Sequence, residues 1–213
     1  MPSFTPPPSP LPTSDPRGRR PALLAAAVVA AAVAGVAAWH ALPGPSLPVL
    51  GAVPAFTLTE RSGSPFAAAD LRGQVWIADF VFTRCPDVCP ALTATMAGLQ
   101  KTLAAHPVRL VSFTVDPAHD TPEALRDYAA RFHASDGWLF LTGSREALAA
   151  LLREGFKVAW ADDGPPASPI THSDRFVLVD RTLRIRGYYH GSQADDVARL
   201  TRDAIALGDG KTS

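Results

Sequence analysis

The chain holds two cysteines, and both fall in "FTRCPDVCP", residues 82 to 90, where three residues separate Cys85 from Cys89. Two cysteines scattered at random would rarely lie so close, so the pair shares one job. A purely stabilising disulfide is the weakest reading, because a bridge that closes so short a loop removes the least chain entropy. Thiol-disulfide exchange and metal binding remain. Thiolates are the nucleophiles of exchange and soft ligands that favour copper, above all Cu(I). The spacing permits a disulfide and also lets both sulfurs turn toward one ion, with Pro86 and Pro90 stiffening the loop.

The elements around the pair must position it. "QVWIADFVF", residues 74 to 82, is a near-continuous apolar run and reads as a central strand covered on both faces. It leads directly into the cysteines, and "ALTATMAGLQKTLAA" follows as an amphipathic helix. The expected order continues with a strand at "RLVSFTVD", a helix at "DTPEALRDYAARF" capped by Asp120 or Thr121, a strand at "WLFLTG" and a helix at "SREALAALLREGF" capped by Ser144. After a Pro/Gly/Asp-rich loop at 161 to 169, "RFVLVD" and "LRIRGYY" form a hairpin, and a helix over about 193 to 207 closes the chain. "AFTLTE" and "GSPFAAADLRG" make a short hairpin ahead of the central strand. This is an α/β chain with a mixed sheet flanked by helices, in the thioredoxin-like arrangement. Cys85 then lies in the loop after the central strand and Cys89 in or just before the first helical turn. There the helix N-terminus is expected to stabilise thiolate.

A metal needs a third donor, so the six histidines matter. His40, His106, His119, His133 and His190 read as surface or hydrogen-bonded residues; of these, His119 lies in a loop after a strand C-terminus and could approach the cysteines. His172, in "SPITHSDRFVLVD", differs. It stands just ahead of a buried strand that runs antiparallel to the cysteine-bearing one, so its loop lies beside the cysteine loop. A Cys2His set suits copper in either oxidation state, Cu(I) or Cu(II); its softness disfavours magnesium and calcium, and structural zinc usually closes with a fourth ligand.

Residues 22 to 39, "ALLAAAVVAAAVAGVAAW", carry no charge. As a helix at ~1.5 Å per residue they span roughly 27 Å, close to a hydrocarbon core of ~30 Å. Arg17, Arg19 and Arg20 precede them, which leaves the N-terminus in the cytoplasm and sends the rest across. A cleaved signal peptide has the same charge order, but its apolar region is usually shorter, and no small-x-small site follows Trp39. The expected organisation is a cytoplasmic tail (1–21), a transmembrane anchor (22–42), a proline-stiffened linker (43–54), a folded domain (55–207) and a short tail (208–213). The localisation expected is a bacterial inner membrane, single-pass, with the domain in the oxidising periplasm. Lys+Arg and Asp+Glu both number 20, and this balance argues against nucleic acid as a partner.

"FTRCPDVCP", "VSFTVDPAHDTPEALRDYAARF", "LTGSREALAALLREGFKV" and "THSDRFVLVD" together resemble the SCO/SenC family of copper-binding cytochrome c oxidase assembly proteins, over roughly residues 50 to 207. The resemblance implies a metallochaperone that helps build the copper centre of oxidase subunit II, with Cys85, Cys89 and His172 as copper ligands. It also implies an alternative, a thiol-disulfide reductase that keeps the subunit II cysteines reduced; there Cys85 attacks and Cys89 resolves. A further periplasmic copper chaperone or a thioredoxin-like reductant is the implied exchange partner. The chain departs from the family at Thr171, where many relatives carry Asp before the histidine, and at Ala118-His119, where an acidic-basic pair is common. Asp120 either orients a ligand or loop or caps the helix. A thiol peroxidase, which uses a related fold with Thr and Arg near its cysteine, finds only a faint echo in Thr83 and Arg84.

Overall fold

The computed structural model of the chain describes residues 46–85, 88–161 and 171–212, with the backbone alone at Val88, Ala161, Thr171 and His172. The expected tail 1–21, the membrane segment 22–42 and most of the loop 161–169 lie outside the described residues. Among the described residues no helix is long and apolar enough to cross a membrane.

The apolar run that precedes the cysteines forms β4 (Val75–Val81), buried at every position. Before it come β1 (Gly51–Ala52), β2 (Thr57–Glu60), β3 (Pro65–Ala67) and a 3-10 turn at Ala68–Leu71. After it come α1 (Val88–Thr102), β5 (Val108–Thr114), α2 (Pro122–Arg131) and β6 (Trp138–Thr142). The chain continues with α3 (Arg145–Ala150), which widens into a π-turn at Leu151–Gly155, and then β7 (Trp160–Ala161) and β8 (Thr171–His172). β9 (Arg175–Val179), β10 (Arg184–His190) and α4 (Ala194–Gly208) follow.

Eight strands join in the order β1-β10-β9-β4-β5-β6-β2-β3, while β7 and β8 pair separately. β4, β5 and β6 run parallel, and β9 runs antiparallel to β4 through Trp76↔Val179, Ile77↔Leu178 and Ala78↔Val177. Successive side chains of β4 enter opposite layers, as the pleat demands. Trp76, Ala78 and Phe80 pack with Phe113, Phe156 and Trp160. Val75 and Ile77 pack with Met96 of α1, Tyr128 of α2 and Leu200 of α4. The sheet therefore has two apolar layers, which is why its central strands show no polar alternation.

Helix starts follow local chemistry. The side chain of Thr121 accepts from the Ala124 N–H at 3.3 Å, and Pro122 opens α2, so the cap is Thr121 rather than Asp120. Ser144 caps α3 by accepting from the Ala147 N–H at 3.2 Å.

The segment expected as linker is bound to the domain from Leu47 onward. The Leu50 N–H donates to Ile185 O (2.9 Å) and the Val53 N–H to Leu183 O (2.8 Å), which makes β1 an edge strand on β10. Arg186 donates to the carbonyls of Leu47 and Pro48. A Cβ at Gly155 would lie 2.7 Å from Pro54 Cδ, so glycine there lets this segment pack against the π-turn. Nothing in the local pattern of 43–54 announces these contacts, because their partners lie more than a hundred residues on.

Candidate metal and thiol site

The Cys85 N–H donates back to Phe82 O at 3.2 Å, folding the chain just beyond β4, and α1 begins at Val88, so Cys89 sits in its first turn. The Cys89 N–H donates to Cys85 Sγ at 3.4 Å, bringing the two side chains to one place. They are unequal: Cys85 is half-buried, and Cys89 is 0% exposed. Burial pushes the Cys89 thiol well above the ordinary range, and the contact with Cys85 pushes the same way. The helix N-terminus was expected to favour thiolate; at Cys89 desolvation outweighs it. Pro86 and Asp87 lie outside the described residues.

The loop is held from the neighbouring strand. Asp120, fully buried, accepts from the Thr83 N–H (3.2 Å), the Thr83 hydroxyl (2.7 Å) and the Thr114 hydroxyl (2.5 Å). Burial raises its carboxyl above the usual carboxylate range, although each of these donors lowers it. Thr83 stands two residues before Cys85, so Asp120 fastens the base of the cysteine loop to the end of β5. Of the two roles considered for Asp120, this geometry is the loop-orienting one.

Next to it, Arg84 donates to Asp116 Oδ2 at 2.8 Å, and His119 Nδ1 lies 2.9 Å from Asp116 Oδ1 and 2.8 Å from the Arg84 guanidinium. That single nitrogen can accept from Arg84 or, protonated, donate to Asp116, but not both at once. Burial alone would raise the Asp116 carboxyl; the bonds from His119 and Arg84 hold it below its ordinary value. Arg84 is thus half of an ion pair beside the loop.

His172 lies in β8, a two-residue strand rather than the open loop expected, and pairs with Trp160 of β7. Since β9 is antiparallel to β4, the chain ahead of Phe176 is carried toward the end of β4 that leads into the cysteines. Among the described side chains, no group of three or more His, Cys, Asp and Glu is gathered to hold a metal. The chemistry of the donors fits a soft ion: two adjacent sulfurs, one of them accessible, with an imidazole-bearing strand at the same end of the sheet. The other histidines have local partners: His106 with Asp209 (3.0 Å), His119 with Asp116 and His190 with Asp174 (2.9 Å). His40 lies outside the described residues, and His133 offers its backbone carbonyl to Gln100 at 3.1 Å.

One residue near the site escaped the sequence reading. Asp79 is the only charged side chain in β4 and is 1% exposed. It accepts from the Ser112 hydroxyl at 2.5 Å through Oδ1, while Oδ2 has no hydrogen-bond partner among the described residues. Burial pushes its pKa up to about 7, against the lowering bond from Ser112. An aspartate inside "VWIADFV" was the available signal.

Comparison with known proteins follows the same lines. Residues 50–205 match the SCO1/SenC family model. The SCO1 protein homolog of Bacillus subtilis (strain 168) is 35% identical over 159 residues, covering 71% of this chain and 82% of the relative. A solved SCO1/SenC family lipoprotein from Bacillus anthracis (str. Ames) superposes with TM-score 0.71 at 33% identity, covering 76% of this chain and 99% of its own. BsSco, described as a member of the Sco family of cytochrome c oxidase assembly proteins with a disulfide switch, gives TM-score 0.66 at 34% identity, covering 76% and 99%. Copper-bound ScoI from Bradyrhizobium japonicum shares the fold alone, with TM-score 0.64 at 20% identity and coverage of 74% and 99%.

Proposed function

This chain belongs to the SCO1/SenC family, and on that premise we propose that it is a membrane-anchored copper metallochaperone serving cytochrome c oxidase assembly, with subunit II as the recipient of the ion. Its domain would face the periplasm of a bacterial inner membrane, tethered by residues 22–42. Copper is the cargo. Cys85 and Cys89 supply two thiolates and His172 the imidazole, and an incoming partner thiol displaces them in turn to take the ion.

The observation that carries this reading is the sulfur pair itself. A half-buried Cys85 and a buried Cys89 are joined by an N–H to sulfur contact, at the end of β4 toward which β9 brings His172. Both thiols must lose protons to bind, so affinity falls as pH drops. Two soft sulfurs are enough for Cu(I), whereas Cu(II) depends more on the imidazole. An anaerobic copper titration of the reduced full chain in detergent tests it. One copper per chain, with sulfur-to-Cu(II) absorption that His172→Ala removes, is the expected result; weak binding, or a spectrum indifferent to His172, counts against it.

The inequality of the cysteines favours a second reading beside the first, a thiol-disulfide reductase. The Cys85 thiolate attacks a partner disulfide, forming a mixed disulfide and releasing one partner thiolate. Cys89 then gives up its proton and attacks Cys85 Sγ, releasing the second partner thiolate and leaving a Cys85–Cys89 disulfide. The partner gains two electrons and this chain loses two, to be restored by an external dithiol. Cys89→Ser should trap the mixed disulfide; a variant that still turns over a model disulfide at the wild-type rate excludes this chemistry.

A further inference from the structure

β7 and β8 are two residues each and share no ladder with the eight-stranded sheet. So short a pair cannot hold itself in place by its own backbone bonds. Yet it carries His172, opposite Trp160 in register, with the Ser173 N–H donating to Ala159 O at 3.1 Å just below. Asp174, just past it, accepts from the Gly191 N–H at 2.9 Å, and on the β7 side the Trp160 side chain binds the hairpin to the domain. Trp160 is 6% exposed within the core layer that also holds Phe82, Val115 and Phe156. Its indole N–H donates to Val115 O at 3.1 Å, and the Val115 N–H in turn donates to Val81 O at 2.8 Å. Val81 is the last residue of the strand that leads into the cysteines. Two guanidinium groups also lie over the ring, Arg145 at 5.2 Å and Arg153 at 5.1 Å from its centre.

We propose that Trp160 is a positioning residue for His172, its indole tying the hairpin that carries the histidine through the Val115 peptide to the end of the cysteine-bearing strand. The proposal rests on His172 acting as a copper donor. Both sulfurs are placed by β4 and α1, whereas the imidazole rides on a two-residue pair outside the eight-stranded sheet. Its β8 side is held through Asp174, which accepts from the Gly191 N–H at 2.9 Å; its β7 side is held by the Trp160 indole, which is the tie to the cysteine-bearing strand. Packing alone would need only the ring; the tie needs the N–H.

The test uses Trp160→Phe, which keeps a ring and deletes the donor, in the reduced full chain loaded with Cu(II) and, separately, Cu(I). Electron paramagnetic resonance and sulfur-to-copper absorption are recorded beside His172→Ala, the double variant and thermal melting of the metal-free protein. Cu(II) affinity should fall about tenfold, at the lower end of what removing an outer positioning group costs. The copper spectrum should move toward that of His172→Ala, Cu(I) affinity should hold, and the double variant should match His172→Ala. Trp138→Phe deletes another buried indole donor, to Ser112 at 2.9 Å, and serves as control: it should lower melting without touching the spectrum. If Trp160→Phe does not fold, benzothienylalanine at position 160 keeps the bicyclic ring, deletes the N–H alone and should move the copper spectrum in the same direction. A wild-type copper spectrum and affinity in Trp160→Phe, beside an altered His172→Ala, overturns the positioning role alone. An unaltered His172→Ala overturns the donor assignment and the positioning role together.

Discussion

Asp79 and Asp180 are buried aspartates toward opposite ends of the same sheet, and they are treated in opposite ways. Asp180, just past β9, accepts from the Thr182 N–H (2.8 Å), the Thr182 hydroxyl (2.7 Å), the Arg184 N–H (3.0 Å) and Arg186 (2.8 Å). Burial alone would raise its carboxyl, but these donors, Arg186 foremost, hold it below the ordinary range. Asp79 accepts from the Ser112 hydroxyl, its Oδ2 has no partner among the described residues, and burial wins. The Asp180 end clamps the arriving N-terminal segment, since Arg186 also binds the carbonyls of Leu47 and Pro48. The cysteine end holds two groups that burial pushes toward their neutral forms: the Asp79 acid and the Cys89 thiol. One end is closed by an ion pair; the other keeps a buried acid and a buried thiol in their neutral forms.

The sharpest break of this comparison is at the sulfurs. Cys85→Ser or Cys89→Ser should abolish Cu(I) retention, a loss of more than about a thousandfold in an anaerobic competition assay, since a soft ion is left with one thiolate. Retained Cu(I) would remove the cysteine end from the chemistry altogether.

Asp79 follows in size. Its folded value of about 7 lies above the ordinary 3.8, so the fold favours the neutral acid. The stability this contributes is complete below about pH 4 and is lost as pH rises through 7, at about 1.4 kcal/mol per pH unit. Asp79→Asn should therefore gain on the wild type by roughly 4 kcal/mol between pH 4 and pH 8 in denaturant titrations. Parallel pH curves for the two proteins would contradict the contrast with Asp180.

At the closed end, Arg186→Met leaves the buried Asp180 without its cation, and breaking such a pair costs about 3 kcal/mol. Melting should fall while copper affinity stays at the wild-type value. A change in copper binding there would show the ends to be coupled.

The smallest effect is expected at Asp120→Asn, which replaces an acceptor of three donors by a group with one acceptor oxygen. Stability should drop by about 1 to 2 kcal/mol, and Cu(II) affinity by up to about tenfold as Thr83 and the loop loosen. An unchanged copper affinity would reduce Asp120 to a structural bond.

Most of the fold was legible before any coordinates. Strands β4, β5, β6, β9 and β10 and the helices α1, α2 and α4 stand within three residues of where their patterns put them, as does α3 once its π-turn is counted with it. The short hairpin expected ahead of β4 is the one β2 and β3 form, antiparallel through Leu58↔Phe66. What escaped was short or paired at long range. β1 and β7 have two residues each, too few for a period, and β1 exists only because β10 offers it an edge.

The site divides in the same way. Spacing marked Cys85 and Cys89 as a pair, and their N–H to sulfur contact joins them, because donor type and spacing are written locally; the position of His172 ahead of a buried strand was legible too, while its part as a donor belongs to the proposal. Only the tertiary structure decided that Cys89 is the buried sulfur, that Asp120 serves Thr83 rather than the helix behind it, and that Trp160 reaches Val115. Those outcomes depend on desolvation and on donors and acceptors 37 and 45 residues apart. A residue's neighbours along the chain fix its periodicity and its cap. Its dielectric surroundings and its distant hydrogen-bond partners come into being only when the layers close.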